Sequence, residues 1–383
     1  MVSRVERSAF ASWWWTVDRW LLAALVGLML IGIVLTMAAS PPVAERLGLS
    51  TFHFVHRQVL FLALSGLLLF ATSFLSPRHV RRAAVIAFVV GMALIFAALF
   101  LGHEVKGSKR WIFGIQPSEF IKPCFVILAA WAFSEGAKRR GLPGNTLAIL
   151  LLPATIVPLI LQPDFGQTML ISLVWAGLFF MAGLHWFWVA GIGGVGAFGA
   201  LLAYEFVPHV RARILQFGDS LNGTAAGDRF QVDTALDSII AGGWFGKGAG
   251  EGTLKRILPD AHTDFIFAVT AEEFGIIACM GLGLVFAFIV LRSLSLARRN
   301  EDPFCRFAAA GLAMLFGIQG IINIAVNLQL MPAKGMTLPF ISYGGSSVIA
   351  VALGMGFLVA VTRKRPRADL RETLLRAPEP RTA

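Results

Sequence analysis

The 383-residue chain is a succession of apolar runs, most close to twenty residues long, broken by short polar or basic stretches. A helix of that length crosses the hydrocarbon core of a bilayer. Inside lipid, each backbone polar group must be satisfied within the spanning structure itself. Windows of about 19 residues place spans near 20–40, 58–76, 83–102, 117–135, 146–162, 165–183, 186–206, 265–292, 306–330 and 338–362. The expected fold class is an all-α polytopic membrane protein with about ten transmembrane helices. Composition supports this. Hydrophobic residues make up 57% and charged residues 14%, whereas a soluble domain carries about a quarter charged residues.

A net charge of +11 would suggest nucleic acid in a soluble protein. In a membrane protein the position of the charge matters more, because cytoplasmic loops collect Lys and Arg. Arg4, Arg7 and Arg19 precede the first span, and Arg78, Arg81 and Arg82 separate the second and third. Lys138, Arg139 and Arg140 follow the fourth, Arg292, Arg298 and Arg299 the eighth, and Arg363, Lys364, Arg365 and Arg367 the tenth. With alternating spans these clusters share one side, so both termini are expected in the cytoplasm. Lys106, Lys109 and Arg110 fall on the other side. The expected organisation is a cytoplasmic segment 1–18, a transmembrane domain 19–365 and a basic, disordered tail 366–383. Between helices 7 and 8 lies a large extracytoplasmic loop, 207–264, rich enough in Gly at 242–252 to be mobile. Cys124, Cys279 and Cys305 lie in or beside apolar runs, so no disulfide framework is implied.

The chemically unusual residues gather on the outward side. LPDAHTDFIFAVTAEE (258–273) ends a polar segment and starts an apolar run. Asp264 therefore sits where the chain meets the membrane, and Glu272 is expected about 12 Å further along the helix. Carboxylates at that depth are costly, so Glu272 and Glu273 read as functional or paired groups. Asp264 could be a helix N-cap, a role both Thr and Asp favour, and equally a general base within reach of a hydroxyl. Glu119 and Lys122, three apart on the fourth span, suit a structural ion pair. Asp164, in the tight QPDFG turn, could complete a carboxylate–Lys–carboxylate network with them.

Lys109, Arg110 and Trp111 suit either an interfacial belt or a site for an anionic head group. Arg211 and Arg213 offer a second basic pair. Backbone N–H groups near Ser342 and Gly344 could bind phosphate, although a Gly-Gly-Ser-Ser run before a membrane helix more often serves close packing. His262 has no partner at zinc-ligand spacing. No organic cofactor is expected, and a divalent cation, Mg²⁺ or Mn²⁺, could accompany a diphosphate.

The motifs GSKRW, QPSEFIK, QPDFGQ, LPDAHTDFIFAV with EE, and LPFISYGGSS occur in this order across nearly all of the spanning core. Together they closely resemble the SEDS family of bacterial cell-wall proteins. AHTDFIFAV and LPFISYGGSS resemble its division branch more than its elongation branch. The resemblance implies a peptidoglycan glycosyltransferase that polymerises lipid II, the undecaprenyl-diphosphate disaccharide-pentapeptide, into β-1,4-linked strands at the outer face of the cytoplasmic membrane. It assigns the required aspartate to Asp264 and matches the family's Lys and QPD aspartate to Lys122 and Asp164. It also implies a class B penicillin-binding protein of the FtsI type as partner, other divisome membrane proteins, and a place at the septum. About ten spans with buried carboxylates and a Lys also suit a lipid II flippase; an elongation-type polymerase is the alternative within the family, and a division scaffold that recruits partners is compatible with the enzyme. Unusual polar groups clustered on the outward side favour an enzyme working at one face.

Overall fold

A computed structural model describes residues 8–105, 108–138, 143–183, 186–206, 228–331 and 335–364, together with Arg211 and Leu215. Every expected span has a helix in its place. In chain order the helices are α1 (Ala9–Thr16), α2 (Arg19–Ala39), α3 (Pro41–Arg46), α4 (His53–Ser73), α5 (Pro77–Leu101), α6 (Pro117–Lys138), α7 (Gly144–Leu161), α8 (Phe165–Met181), α9 (Trp186–Phe206), α10 (Asp228–Gly242), α11 (Ile266–Arg298), α12 (Pro303–Asn327) and α13 (Gly345–Thr362). Eight of them, α2, α4 to α7 and α11 to α13, are long and apolar enough to cross a bilayer. α8 is apolar but shorter, and α9 occupies the seventh expected span. One small element departs from the all-α expectation. Strands β1 (His103–Val105) and β2 (Ser108–Trp111) pair antiparallel between α5 and α6.

The bundle is organised around α6, α12 and α13. About two-thirds or more of their apolar windows is buried (67%, 67% and 72%), against 22% for α5, which lies at the periphery of the bundle. Small residues permit the close approaches. A side chain at Gly32 would collide with the Phe340 carbonyl, and one at Gly345 with the Phe61 ring.

Charged groups tie the helix ends together at two opposite faces. At one, Arg292 Nη2 pairs with Asp18 Oδ2 at 2.5 Å, and Arg363 donates to Thr16 Oγ1 (3.0 Å) and the Ser73 carbonyl (3.3 Å). The ends of α2, α11 and α13 that meet there carry Arg19, Arg292 with Arg298, and Arg363, and α4 ends there just before the arginines that open α5. At the other face, Lys255 Nζ donates to the Ala38 carbonyl (3.0 Å), Arg46 to the Leu258 carbonyl (3.0 Å) and Gln58 to the Ser342 carbonyl (3.3 Å).

α11 is broken. Gly275 has φ 81° and ψ 175°, outside the helical region. The segment beyond it, residues 276–298, is long enough to span the core alone at roughly 1.5 Å per residue. Two anchors set its level against α2, namely Arg292 on Asp18 at one end and Glu273, through Lys255, beside Ala38 at the other. The unbroken helical stretch 276–292 rises about 24 Å, and residues 19–38 of α2 rise about 28 Å. Glu272 and Glu273 therefore lie level with the Ala39 end of α2, which corrects the expectation that they sit about 12 Å further into the span. The helix break decides this, and a continuous apolar run conceals it.

Candidate functional site

Asp264 lies in the turn that leads into α11. Asp260, at φ 53°, turns the chain, and its carbonyl accepts from the N–H of Thr263 (3.0 Å), the N–H of Phe265 (3.4 Å) and Thr263 Oγ1 (3.1 Å). The expected capping role of Asp264 is taken elsewhere. The N-cap position is Phe265, with no side-chain cap bond. Instead Asn327, from the end of α12, accepts from the Ala268 N–H at 3.2 Å. Its amide nitrogen donates back to the Asp264 carbonyl at 3.0 Å. Asn323, one turn earlier on α12, donates to the same carbonyl at 2.9 Å and to the Met336 carbonyl at 2.6 Å. One helix thus fixes the main chain of Asp264 and joins it to the 335–344 loop. The Asp264 side chain is half-buried, and a Cβ built on Gly335 would lie 3.6 Å from its Oδ2.

The same α12 stripe continues to the Lys122 pair. Lys122 Nζ lies 2.8 Å from Glu119 Oε2 and donates to Gln319 Oε1 at 3.1 Å, both charged side chains being buried. Gln319 Nε2 donates to the Thr337 carbonyl (3.0 Å), whose hydroxyl lies 2.5 Å from Ser347 Oγ at the start of α13. Gln167 on α8 donates to Glu119 Oε1 at 2.6 Å. Asp164 accepts from Gln116 Nε2 (3.2 Å) and lies 3.8 Å from Arg110 Nη1. Burial pushes the Asp164 carboxyl above its usual range and Glu119 adds to the rise, with Arg110 and Lys122 acting in the opposite sense. A chain of polar contacts therefore runs from the 162–164 turn to the Asp264 main chain.

Other expected groups separate. Successive strand residues point to opposite sides, and this divides Lys109 from Arg110. Lys109 is exposed, whereas Arg110 donates to the carbonyls of Gln162 (3.1 Å) and Pro163 and so clamps the QPD turn. Arg211 lies over the Tyr204 ring at 5.7 Å, and Arg213 lies outside the described residues. Ser342 is fully buried in a turn, its Oγ accepting from the Leu338 N–H at 2.8 Å. Gly344 immediately precedes α13, where no side chain caps the helix.

Glu272 and Glu273 form a cluster of their own. Glu272 accepts from the N–H groups of Thr253 (2.7 Å), Leu254 (2.9 Å) and Lys255 (3.1 Å) and pairs with Lys247 at 3.1 Å. Glu273 accepts from the Gly250 N–H (3.0 Å) and pairs with the buried Lys255. The glycine-rich segment is consequently pinned, contrary to the expectation of a mobile one. Cβ atoms at Gly242 or Gly246 would strike the carbonyls of Ala271 or Glu273.

His262 is buried between the rings of Phe54 (4.5 Å) and Tyr343 (5.3 Å). Burial lowers its pKa to about 4, Arg46 reinforcing this and Asp260 opposing it. It is neutral near pH 7 and supplies no cation. Among the described residues no three His, Cys, Asp or Glu side chains converge as a metal cluster. Gln319, Asn323 and Asn327 were not singled out from the sequence. Their i, i+4, i+8 spacing in an apolar run was the available signal, since polar side chains within membrane spans mark internal contacts.

The family model described as "Cell cycle protein" (FTSW_RODA_SPOVE) matches residues 19–367. A protein of Caulobacter vibrioides named probable peptidoglycan glycosyltransferase FtsW is 47% identical over 371 residues, covering 96% of this chain and 94% of its own. One of Halomonas elongata with the same name is 35% identical, covering 93% and 92%. Among solved structures, a chain of a peptidoglycan synthase complex that coordinates polymerization and crosslinking superposes with a TM-score of 0.75 at 27% identity, covering 90% of this chain and 97% of that one. The rod shape determining protein RodA of Thermus thermophilus gives 0.66 at 28%, covering 90% and 96%. With a match that takes in every spanning helix, the chain belongs to the FtsW/RodA/SpoVE family, the SEDS family of cell cycle proteins.

Proposed function

We propose that this chain is a peptidoglycan glycosyltransferase of the FtsW type that polymerises lipid II during septal cell-wall synthesis. The observation that carries the reading is the placement of Asp264. It is half-buried on the face opposite the basic clusters, and its main chain is held by Asn323 and Asn327. A general base needs such fixed geometry, an ionised carboxylate and access to the hydroxyl it deprotonates. In the proposed step the sugar 4-hydroxyl of one lipid-linked disaccharide gives its proton to Asp264. The oxygen attacks C1 of a second, with inversion, and the polyprenyl diphosphate leaves with the bonding electron pair. Basic groups stabilise the departing diphosphate electrostatically, and Lys109, exposed on the hairpin, is the leading candidate. The uncapped start of α13, beside Gly344, adds the partial positive charge of a helix N-terminus.

Mg²⁺ or Mn²⁺ commonly binds through one or two carboxylates plus substrate phosphates. Asp264 fits that donor set, and the ion would supply charge neutralisation at the diphosphate. Arg110, Asp164, Glu119 and Lys122 hold the helices around the site, and Glu272 and Glu273 hold the loop. A class B penicillin-binding protein of the FtsI type, alongside other divisome membrane proteins, is the partner we assign, with the septal cytoplasmic membrane as location. The test is lipid II polymerisation by the purified protein with a transpeptidase-inactive FtsI-type partner, with and without divalent metal. Glycan strands from wild type and none from Asp264→Asn are expected. Strands from both would remove Asp264 from the chemistry, and none from either while lipid II binds would favour a flippase.

A further inference from the structure

At the face opposite Asp264, the first turns of α5 carry Arg78, Arg81 and Arg82, followed by Val85 and Ile86. The spacing i, i+3, i+4, i+7, i+8 puts all five on one side of the helix. With Trp131 of α6 they line a groove of about 480 Å³. The first turn of α5 contains no acidic residue, although a helix N-terminus favours anions and disfavours cations. Arg78, in that turn, opposes the helix dipole, and the three arginines oppose one another. Arg81 is fixed, its guanidinium lying 5.4 Å from the Trp131 ring centroid, 4.7 Å from that of Phe304 and 3.8 Å from Glu135. Arg78 and Arg82 are exposed and have no acidic partner among the described residues. A basic belt alone needs no walls, since its side chains reach water or head groups. Here the cations share a groove with an indole and with an apolar track, Val85 and Ile86, that is 37% and 65% exposed at the lipid boundary.

We infer that this groove binds an anionic glycerophospholipid, its phosphate between Arg78, Arg81 and Arg82 and one acyl chain along Val85 and Ile86. Ser76 Oγ already accepts from the His79 N–H at the start of α5 (3.3 Å), so a phosphate there would be held by the arginines. Basic pockets between transmembrane helices on the cytoplasmic side take such head groups. Because the groove is remote from Asp264, its occupant is a structural lipid rather than a substrate.

The test uses the full-length protein, delipidated in detergent and offered phosphatidylglycerol, phosphatidylcholine or undecaprenyl phosphate, with bound lipid read by native mass spectrometry. Wild type is expected to retain phosphatidylglycerol over phosphatidylcholine. Arg78→Gln/Arg82→Gln, with Arg81 kept to hold Trp131, is expected to bind it about twenty-fivefold more weakly, at roughly fivefold per arginine. Its thermal midpoint in phosphatidylcholine should match wild type. Ile86→Trp, which obstructs the apolar track and leaves the arginines in place, should reduce long-chain phosphatidylglycerol binding and spare the short-chain form. Equal retention of phosphatidylglycerol by wild type and the double variant would overturn the inference. Preferential retention of undecaprenyl phosphate at these arginines would also overturn it, and would make the groove a substrate-loading site.

Discussion

Around Asp264, side chains divide the work of building the turn from the work of chemistry. Asn327 caps α11 and two asparagines hold the Asp264 carbonyl, so Asp264→Asn, which keeps the side chain's size, is expected to leave the main chain of the turn folded. Polymerisation should fall by roughly 10²–10⁴-fold, the scale of a lost general base. Thermal unfolding and strand synthesis on one preparation check both. Asn327→Ala removes a helix-cap acceptor and two donated bonds, and should cost about 2 kcal/mol. Equal stability of Asn327→Ala and wild type would show that water replaces the cap. His262 gives a pH signature. Its folded pKa, about 4, lies below the ordinary 6.5, so the unfolded chain takes up the proton first as pH falls. The stability tied to a neutral His262 is complete above about 6.5 and is lost towards 4, by up to roughly 3 kcal/mol. His262→Gln should flatten that part of the stability–pH curve, and an unchanged slope would assign it to other groups.

Among the elements, the broken α11 and the segment pinned to it form one unit. Gly275 sits at positive φ, and a Cβ there would lie 2.3 Å from the Trp244 carbonyl. Gly275→Ala is therefore expected to cost more than about 2 kcal/mol from backbone strain and collision together. Glu273→Gln leaves Lys255, 4% exposed, without its counter-ion. Breaking a buried pair costs about 3–5 kcal/mol. Chemical denaturation monitored by limited proteolysis around residues 246–256 measures both, and a protected loop in Glu273→Gln would count against the pinning role. Expectations at this level went wrong for one reason. Glycine content reads as freedom when the partners are unknown, yet here it allows three N–H groups to crowd onto Glu272 and a backbone to touch the helix break.

Across the whole molecule, the bundle closes around a polar seam joining α6, α8 and α12 through Lys122, Glu119, Gln167 and Gln319. Lys122→Met alone strands a buried carboxylate and should be the most damaging change there, by about 3–5 kcal/mol. Lys122→Met with Glu119→Gln should recover much of that loss. A double-mutant cycle followed by thermal unfolding measures the coupling, and strictly additive losses would mean that the pair does not act as a unit. The sequence by itself determined the polytopic helical class and where the helices fall along the chain, and it picked out the motif residues Asp264, Glu119, Lys122 and Asp164, because hydropathy and motif order are local properties of the chain. Only the tertiary structure decided that Glu272 and Glu273 serve the loop, that Lys109 and Arg110 part company, and that Asn327 rather than Asp264 caps α11. Each of those depends on which distant backbone groups a side chain meets, and that is settled only when the helices pack.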